Sequence, residues 1–182
     1  MRPPRVLVAY ASRHQATAEI AAAIADELVA AGCVATVIEA RAAGSLAGVD
    51  AAIVGSALYL GRWDESALDL VRRERAALAR MPTWLFSSGP VGEGKATARP
   101  GRLPQPEAVG ALVTEIGAHA TTFGGRVDAD EEGFDLQIMA SAGLAGDWRD
   151  FVRIRAWARG IAADVLVRTA ATGGPGALDE LA

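Results

Sequence analysis

The chain has 182 residues, 51% of them hydrophobic and 22% charged, which suits one α/β domain with a core large enough to fold without disulfides or metal. A formal net charge of −4 argues against a nucleic-acid binder, because such proteins neutralise phosphates with clustered lysine and arginine. The single cysteine, Cys33, excludes an intrachain disulfide, and we expect it to be a buried structural thiol.

Metal and membrane sites are not expected either. Two histidines and one cysteine are too few soft ligands for a zinc site, and the carboxylates show no metal-site spacing. The amino-terminal apolar run is too short for a secretory signal, and no stretch reaches the roughly 18 apolar residues of a membrane span. We therefore expect a cytoplasmic protein without a transmembrane segment, and leave open a peripheral membrane contact and a homo-oligomer.

Strand and helix patterns alternate along the first part of the chain. Residues 5–10 form a short apolar run typical of a buried parallel strand. Residues 17–31 place apolar side chains at helical spacing and are followed by Gly32, a common helix terminator. Residues 34–40 and 50–56 are predicted strands, and the connection around residues 44–48 has room for a turn of helix.

The alternation continues in the second part. Helices are predicted over residues 64–79 and 105–117, and strands over residues 83–88 and 120–127. A last helix, residues 147–169, is expected to carry one apolar face, formed by Trp148, Phe151, Val152, Ile161, Val165 and Leu166. The pattern predicts one α/β domain, residues 1–170, with a parallel sheet and right-handed crossovers, and a loose tail, residues 171–182.

Two loops are candidates for function. Residues 89–106 are dense in glycine and proline and cannot form a regular element, so this loop is either functional or disordered. The loop after the first strand contains Ser12, Arg13, His14 and Thr17, and a helix N-terminus with such side chains can bind an anion. The alternative is that Ser12 or Thr17 only caps the helix. From the loop alone the two interpretations have equal weight.

The segment from Tyr10 to Thr17 resembles the phosphate-loop signature of flavodoxins, in which an aromatic residue is followed by a hydroxyl residue, a small residue and a threonine. Residues 54–74 and 81–92 are similar to the menaquinone-dependent protoporphyrinogen oxidases, a flavodoxin-like family. The resemblance implies a flavodoxin-like doubly wound sheet of five parallel strands, in the order 2-1-3-4-5, with helices on both faces. It also implies FMN as the cofactor.

The loop departs from the family pattern at one position. Flavodoxins usually have glycine where this chain has Gln15, and glycine readily takes a positive φ that lets the backbone approach a phosphate. Gln15 could donate its own amide to the phosphate, or it could fill the site.

The resemblance assigns FMN contacts to four segments. The phosphate is expected on Ser12, Arg13, His14, Gln15, Ala16 and Thr17. One side of the flavin ring is expected to meet Ser56, Ala57, Leu58, Tyr59, Leu60 and Gly61. The other side is expected to meet Ser88, Gly89, Pro90, Val91 and Gly92, with Gly124, Gly125 and Arg126 at the next strand end. Tyr59 or Trp63 offers an aromatic face for stacking, or only covers the end of the sheet.

Three functions follow as hypotheses. The first is an FMN-dependent oxidoreductase acting with a small-molecule or quinone redox partner, in which Arg62 and Arg126 are candidates to steer an anionic substrate such as a porphyrinogen. The second is a flavodoxin-type electron carrier, for which a denser acidic surface would be usual. The third is a flavodoxin-like module that binds no flavin.

Overall fold

The computed structural model describes residues 2–59, 61–89, 106–127 and 145–172, in which strands and helices alternate. The strands are β1 (Arg5–Ala11), β2 (Val34–Glu39), β3 (Ala51–Tyr59), β4 (Arg62–Trp63), β5 (Thr83–Gly89), β6 (His119–Gly124), β7 (Arg126–Val127) and β8 (Gly146–Asp147). The helices are α1 (Ala16–Ala30), α2 (Glu65–Arg73), α3 (Arg75–Leu78), α4 (Glu107–Ile116) and α5 (Phe151–Thr172), with a 3₁₀ turn at Ala40–Ala42.

The main sheet contains five parallel strands in the order β2-β1-β3-β5-β6. This is the predicted order 2-1-3-4-5, because β4 is a two-residue strand that pairs only with β3. The winding direction reverses between β1 and β3. In open α/β sheets of this kind, ligands bind in the crevice at the carboxyl ends of the strands on either side of such a reversal.

Each face of the sheet has its own hydrophobic core. On one face α1 and α5 pack through side chains such as Ile20, Ile24 and Ile154, and on the other α2, α3 and α4 pack through residues such as Leu70 and Leu78. Helices therefore lie on both faces, as predicted.

The middle of the sheet has no spare room at Gly55 on β3. A Cβ atom at this position would lie 2.0 Å from the Phe86 ring, so the close packing of β3 against this side chain requires glycine. Cys33 is buried, at 5% exposure, as the sequence predicts, and Trp84 on β5 is also buried, at 6% exposure.

Several boundaries differ from the predictions. The predicted helix 64–79 is divided at Glu74, which takes φ −96° and ψ 12° between α2 and α3. The last helix begins at Phe151, so Trp148 precedes it, and Val152 is 79% exposed rather than part of an apolar face. The predicted strand 120–127 is two strands, since β7 leaves the main sheet and pairs with β8.

The β3 strand is longer than predicted and reaches Tyr59. The chain then folds back at Gly61, which has φ 77°, so that Leu58 pairs with Trp63 in an antiparallel ladder. A positive φ at this turn is readily adopted by glycine. The extended β3 therefore projects beyond the sheet toward the loop that follows β1.

The connection between β2 and β3 contains a 3₁₀ turn at Ala40–Ala42, earlier than the predicted turn at 44–48, and no α-helix. As a consequence β2, at the edge of the sheet, is thinly covered. Its residues Val34 and Val37 are 47% and 40% exposed.

Parts of three predictions lie outside the described residues. These are the glycine- and proline-rich loop from residue 90 to 105, residues 128–144, and the tail from residue 173 onward. The last helix extends to Thr172, past the predicted domain end at residue 170. Within the described ranges, no helix is both long and apolar enough to span a membrane.

Candidate functional site

The loop between β1 and α1 adopts the backbone conformation that a glycine would favour, although it contains none. Gln15, the N-cap of α1, has φ 58° and ψ −16°, and it is the one non-glycine residue with positive φ in the described part of the chain. Its carbonyl accepts a hydrogen bond of 3.0 Å from the Glu19 N–H, while its exposed side chain makes no capping bond. Gln15 therefore permits the loop conformation that the sequence analysis associated with glycine.

The Thr17 hydroxyl is the strongest indication of a ligand in this loop. Thr17 is fully buried in the first turn of α1, and its Oγ1 atom has no hydrogen-bond partner among the described residues. A buried hydroxyl without a partner costs about 1 to 3 kcal/mol. The hydroxyl makes no capping bond, and it lies in the first turn, where helix N–H groups also lack carbonyl partners. These donors suit an anion such as a phosphate.

Open space lies beside this loop. A cleft of about 400 Å³ is lined by Ser12, Arg13 and Gln15 on one side and by Asp64 and Ser66 on the other. A ligand on the loop would therefore be reached from solvent.

The Tyr59 side chain, at the end of β3, lies against the loop. Its hydroxyl accepts a hydrogen bond of 2.7 Å from the Arg13 N–H, and the Arg13 guanidinium carbon lies 4.3 Å from the centre of its ring. The His14 ring meets the Tyr59 ring edge-on at a centroid distance of 6.1 Å. Two of the segments assigned to FMN are thus in direct contact.

Asp64 holds the Arg13 side chain from the other side. Its Oδ2 atom accepts a hydrogen bond of 3.2 Å from Arg13 Nε, and its Oδ1 atom caps α2 by accepting from the Ser66 N–H and hydroxyl at 3.1 and 2.8 Å. Burial acts to raise the pKa of Asp64, but the bonds from Ser66 and Arg13 outweigh it, and the pKa is lowered. Asp64 is thus held as a carboxylate at neutral pH.

Two residues assigned to the ring side are satisfied within the protein. The Ser56 hydroxyl donates to the Ala57 carbonyl and accepts from the Asp64 N–H, both at 2.9 Å. Trp63 is buried, and its Nε1–H donates to the Ser87 hydroxyl at 2.8 Å. The expectation that Trp63 offers a stacking face is therefore wrong, because the β3–β4 turn directs it into the core.

The glycines at the ends of β5 and β6 allow close backbone packing. A Cβ at Gly89 would lie 3.0 Å from Leu58, one at Gly125 would lie 3.0 Å from the Gly89 backbone, and one at Gly124 would lie 2.0 Å from the Trp148 carbonyl oxygen. The Gly125 N–H also donates to the Gly89 carbonyl at 2.7 Å. These strand ends thus meet each other, and the Trp148 backbone covers Gly124.

Arg126 belongs to an ion-pair network that joins β8 to the first turn of α1. Arg126 and Arg149 both contact the Glu19 carboxylate, at 3.0 and 2.7 Å, and Arg149 also pairs with Asp147 at 2.6 Å. The Arg149 side chain is 5% exposed. Hydrogen bonds from Arg149 lower the pKa of both Glu19 and Asp147. The pKa of Arg149 is raised in turn, mainly by the hydrogen bond with Asp147 and further by the one with Glu19, although burial acts to lower it.

The remaining residues assigned to FMN fall into two groups, those that the structure describes and those that it does not. Ser12 lies in the β1–α1 loop, Ala16 is the buried first residue of α1 and Ser88 is buried near the end of β5, whereas four lie outside the described residues: Leu60, Pro90, Val91 and Gly92. Sequence reasoning did not identify Asp64, Glu19 or Arg149 as neighbours of the loop. The spacing of Asp64 and Ser66 is a sequence signal for a helix N-cap. The pairing of Asp64 with Arg13 has no such signal, because the two residues are far apart in the sequence.

The doubly wound parallel sheet, with its reversal of winding between β1 and β3, places this protein in the open α/β class. The model of the flavodoxin domain family matches residues 7–136, and the chain belongs to this family. A comparison with curated proteins finds no significant match.

Solved structures share this fold. Rubredoxin oxygen:oxidoreductase from Desulfovibrio gigas superposes with a TM-score of 0.63 and 13% identity, covering 93% of this chain and 38% of the other. The chain thus spans less than two fifths of that protein. A flavodoxin from the domain Archaea gives a TM-score of 0.59 and 16% identity, covering 89% of this chain and 99% of the other. A Streptococcus pneumonia flavodoxin gives 0.53 and 20% identity, covering 88% and 99%.

Proposed function

We propose that this chain binds FMN through the β1–α1 loop and is an FMN-dependent oxidoreductase. Domains of the flavodoxin family typically bind FMN. The observation that carries the proposal is the Thr17 hydroxyl, fully buried without a hydrogen-bond partner in the described residues. A phosphate oxygen in the loop would accept a hydrogen bond from this hydroxyl and remove the cost of burying the hydroxyl unpaired.

The residues present have distinct tasks in this proposal. Ser12 and Thr17 supply hydroxyl donors, and the first turn of α1 supplies N–H groups for the phosphate. Asp64 neutralises Arg13 and fixes its position. Bound FMN would supply electron or hydride transfer, and the protein would tune it through hydrogen bonds and nearby charge. The strand ends around Leu58 and Gly89 remain the proposed ring side.

The redox partner is proposed from the sequence resemblance. Residues 54–74 and 81–92 are similar to menaquinone-dependent protoporphyrinogen oxidases, so a porphyrinogen donor or a quinone acceptor is the partner class that we propose. Exposed Arg62 is available to steer an anionic substrate, whereas Arg126 is paired with Glu19. Turnover of a porphyrinogen with a quinone by FMN-loaded protein tests this, and an FMN-loaded protein without such turnover would contradict it.

An electron carrier is the second candidate. The carrier proposal rests on the likeness of this fold to the two flavodoxins described above, which are matched over 99% of their length. Rapid electron exchange with a redox protein, without turnover of any small molecule, would support the carrier over the enzyme.

The experiment for FMN binding is a titration of wild-type protein and Thr17→Val with FMN and with riboflavin, which lacks the phosphate. We expect Thr17→Val to weaken FMN by about tenfold to a hundredfold, since a hydrogen bond to a charged group contributes about 1 to 3 kcal/mol, and to leave riboflavin unchanged. Thr114→Val, on the exposed side of α4, is the matched control and should change neither. Wild-type protein that binds neither flavin would support the flavin-free module instead.

A further inference from the structure

The aromatic side chain that the sequence analysis assigned to the flavin ring is placed on the phosphate loop. Tyr59 sits at the end of the extended β3, and its hydroxyl accepts the Arg13 N–H at 2.7 Å. That N–H belongs to the backbone of the loop itself. The Tyr59 hydroxyl therefore lies among the groups that would surround a phosphate.

The ring is fixed there by three neighbours. The Arg13 guanidinium covers one ring face at 4.3 Å, and Asp64 holds this guanidinium through a 3.2 Å hydrogen bond. His14 meets the ring edge-on. A cation stacked on tyrosine is attracted to the ring face, so the three contacts together favour this one position of the ring. A face covered by guanidinium is not available for stacking on an isoalloxazine.

The chemistry of a phenol suits the position. A tyrosine hydroxyl can accept one hydrogen bond and donate another, and the bond from the Arg13 N–H polarises it as a donor. Across the loop, the buried Thr17 hydroxyl independently indicates a ligand. Two hydroxyl donors, one held on the loop at Arg13 and one in the first turn of α1, match the several oxygens of a phosphate monoester.

We propose that Tyr59 is a phosphate ligand that makes this site selective for phosphorylated flavin, a role that rests on the proposed binding of FMN. The hydroxyl accepts a hydrogen bond from the Arg13 N–H and donates one to a phosphate oxygen. Arg13, neutralised by Asp64, acts by holding the ring. Tyr59 thus distinguishes FMN from riboflavin and does not stack on the ring system.

The test is a titration of wild-type protein, Tyr59→Phe and Tyr59→Leu with FMN and with riboflavin. We expect Tyr59→Phe, which keeps the ring, to weaken FMN by about fivefold to a hundredfold and to change riboflavin by less than about twofold. Thr114→Val is the control, since it also removes one hydroxyl, from the exposed side of α4 where that hydroxyl donates to the Gly110 carbonyl, and it should leave the preference for FMN unchanged. A thermal melt of each variant verifies that it is folded.

The opposite results separate the two proposals. If Tyr59→Phe binds FMN as wild type does, while Tyr59→Leu weakens FMN and riboflavin equally, Tyr59 stacks on the ring and the inference is overturned, but FMN binding stands. Tighter binding of FMN by Tyr59→Phe would also overturn it, because the tyrosine would then obstruct the loop. If wild-type protein binds no FMN, the proposed function fails, and this inference fails with it.

Discussion

Thr17 buries a hydroxyl that the ligand-free protein does not satisfy within the described residues. We therefore expect Thr17→Val to raise the free energy of unfolding of the ligand-free protein by about 1 kcal/mol, because the substitution replaces an unpaired polar group with an apolar one of similar shape. Urea unfolding measures the change. Thr114→Val, on the surface of α4, should stay within about 0.5 kcal/mol of wild type. Loss of stability in Thr17→Val would show that the hydroxyl has a partner.

Gly55 is the second residue whose role is set by close packing. Gly55→Ala places a methyl group 2.0 Å from the Phe86 ring, so we expect it to destabilise the protein by about 3 kcal/mol as strand and ring move apart. Gly110→Ala on α4, where a Cβ meets nothing within 4 Å, should instead stabilise by about 0.5 to 1 kcal/mol. Thermal melts of the two variants measure the expected loss of stability in the first and the expected gain in the second. Equal effects would contradict the packing argument.

At the scale of elements, periodicity predicted the strands and helices well because each buries one continuous face. It failed where a contact distant in sequence decides the ending. The predicted strand 120–127 divides because β7 pairs with β8, and the Trp148 backbone, ahead of the last helix, packs against Gly124. For the same reason the contiguous loop 12–17 could be proposed as a site from sequence, whereas the contact of Arg13 with Tyr59 and Asp64 could not.

The ion-pair network of Arg149 with Glu19 and Asp147 connects β8 to α1. The folded pKa of each carboxylate is lowered, so the network stabilises the protein above the unfolded pKa values near 4, and this stability is lost as the pH falls through the folded values. We expect Arg149→Met to lower stability at pH 7 and to lose much less than wild type on going to pH 3. Urea unfolding at both pH values measures this. Arg72→Met, which removes an exposed ion pair with Glu65, is the control. If the stability of Arg149→Met depended on pH as that of wild type does, the role given to the network would be contradicted.

At the scale of the whole molecule, the carboxyl ends of the strands are connected to one another and to α1. The loop after β1 is held by the end of β3 through Tyr59, β5 meets β6 through Gly89 and Gly125, and the ion-pair network joins α1 to β8. One sheet edge thus collects contacts from both cores. The site is therefore expected to be lost only when the whole domain unfolds.

The thin cover of β2 has a consequence for the way the domain opens. With a 3₁₀ turn in place of a crossover helix and with Val34 and Val37 exposed, β2 can separate from β1 while exposing little additional apolar surface. Local opening free energies scale with such buried surface, so β2 is expected to be the least protected unit of the sheet. In native-state hydrogen exchange, amides of β2 should exchange through local fluctuations, at rates nearly independent of low denaturant, while amides of β3 and β5 should exchange only through global unfolding. Equal protection of β2 and β3 would contradict this. Lower protection of β2 would mean that the edge strand can detach while β1 continues to hold the loop.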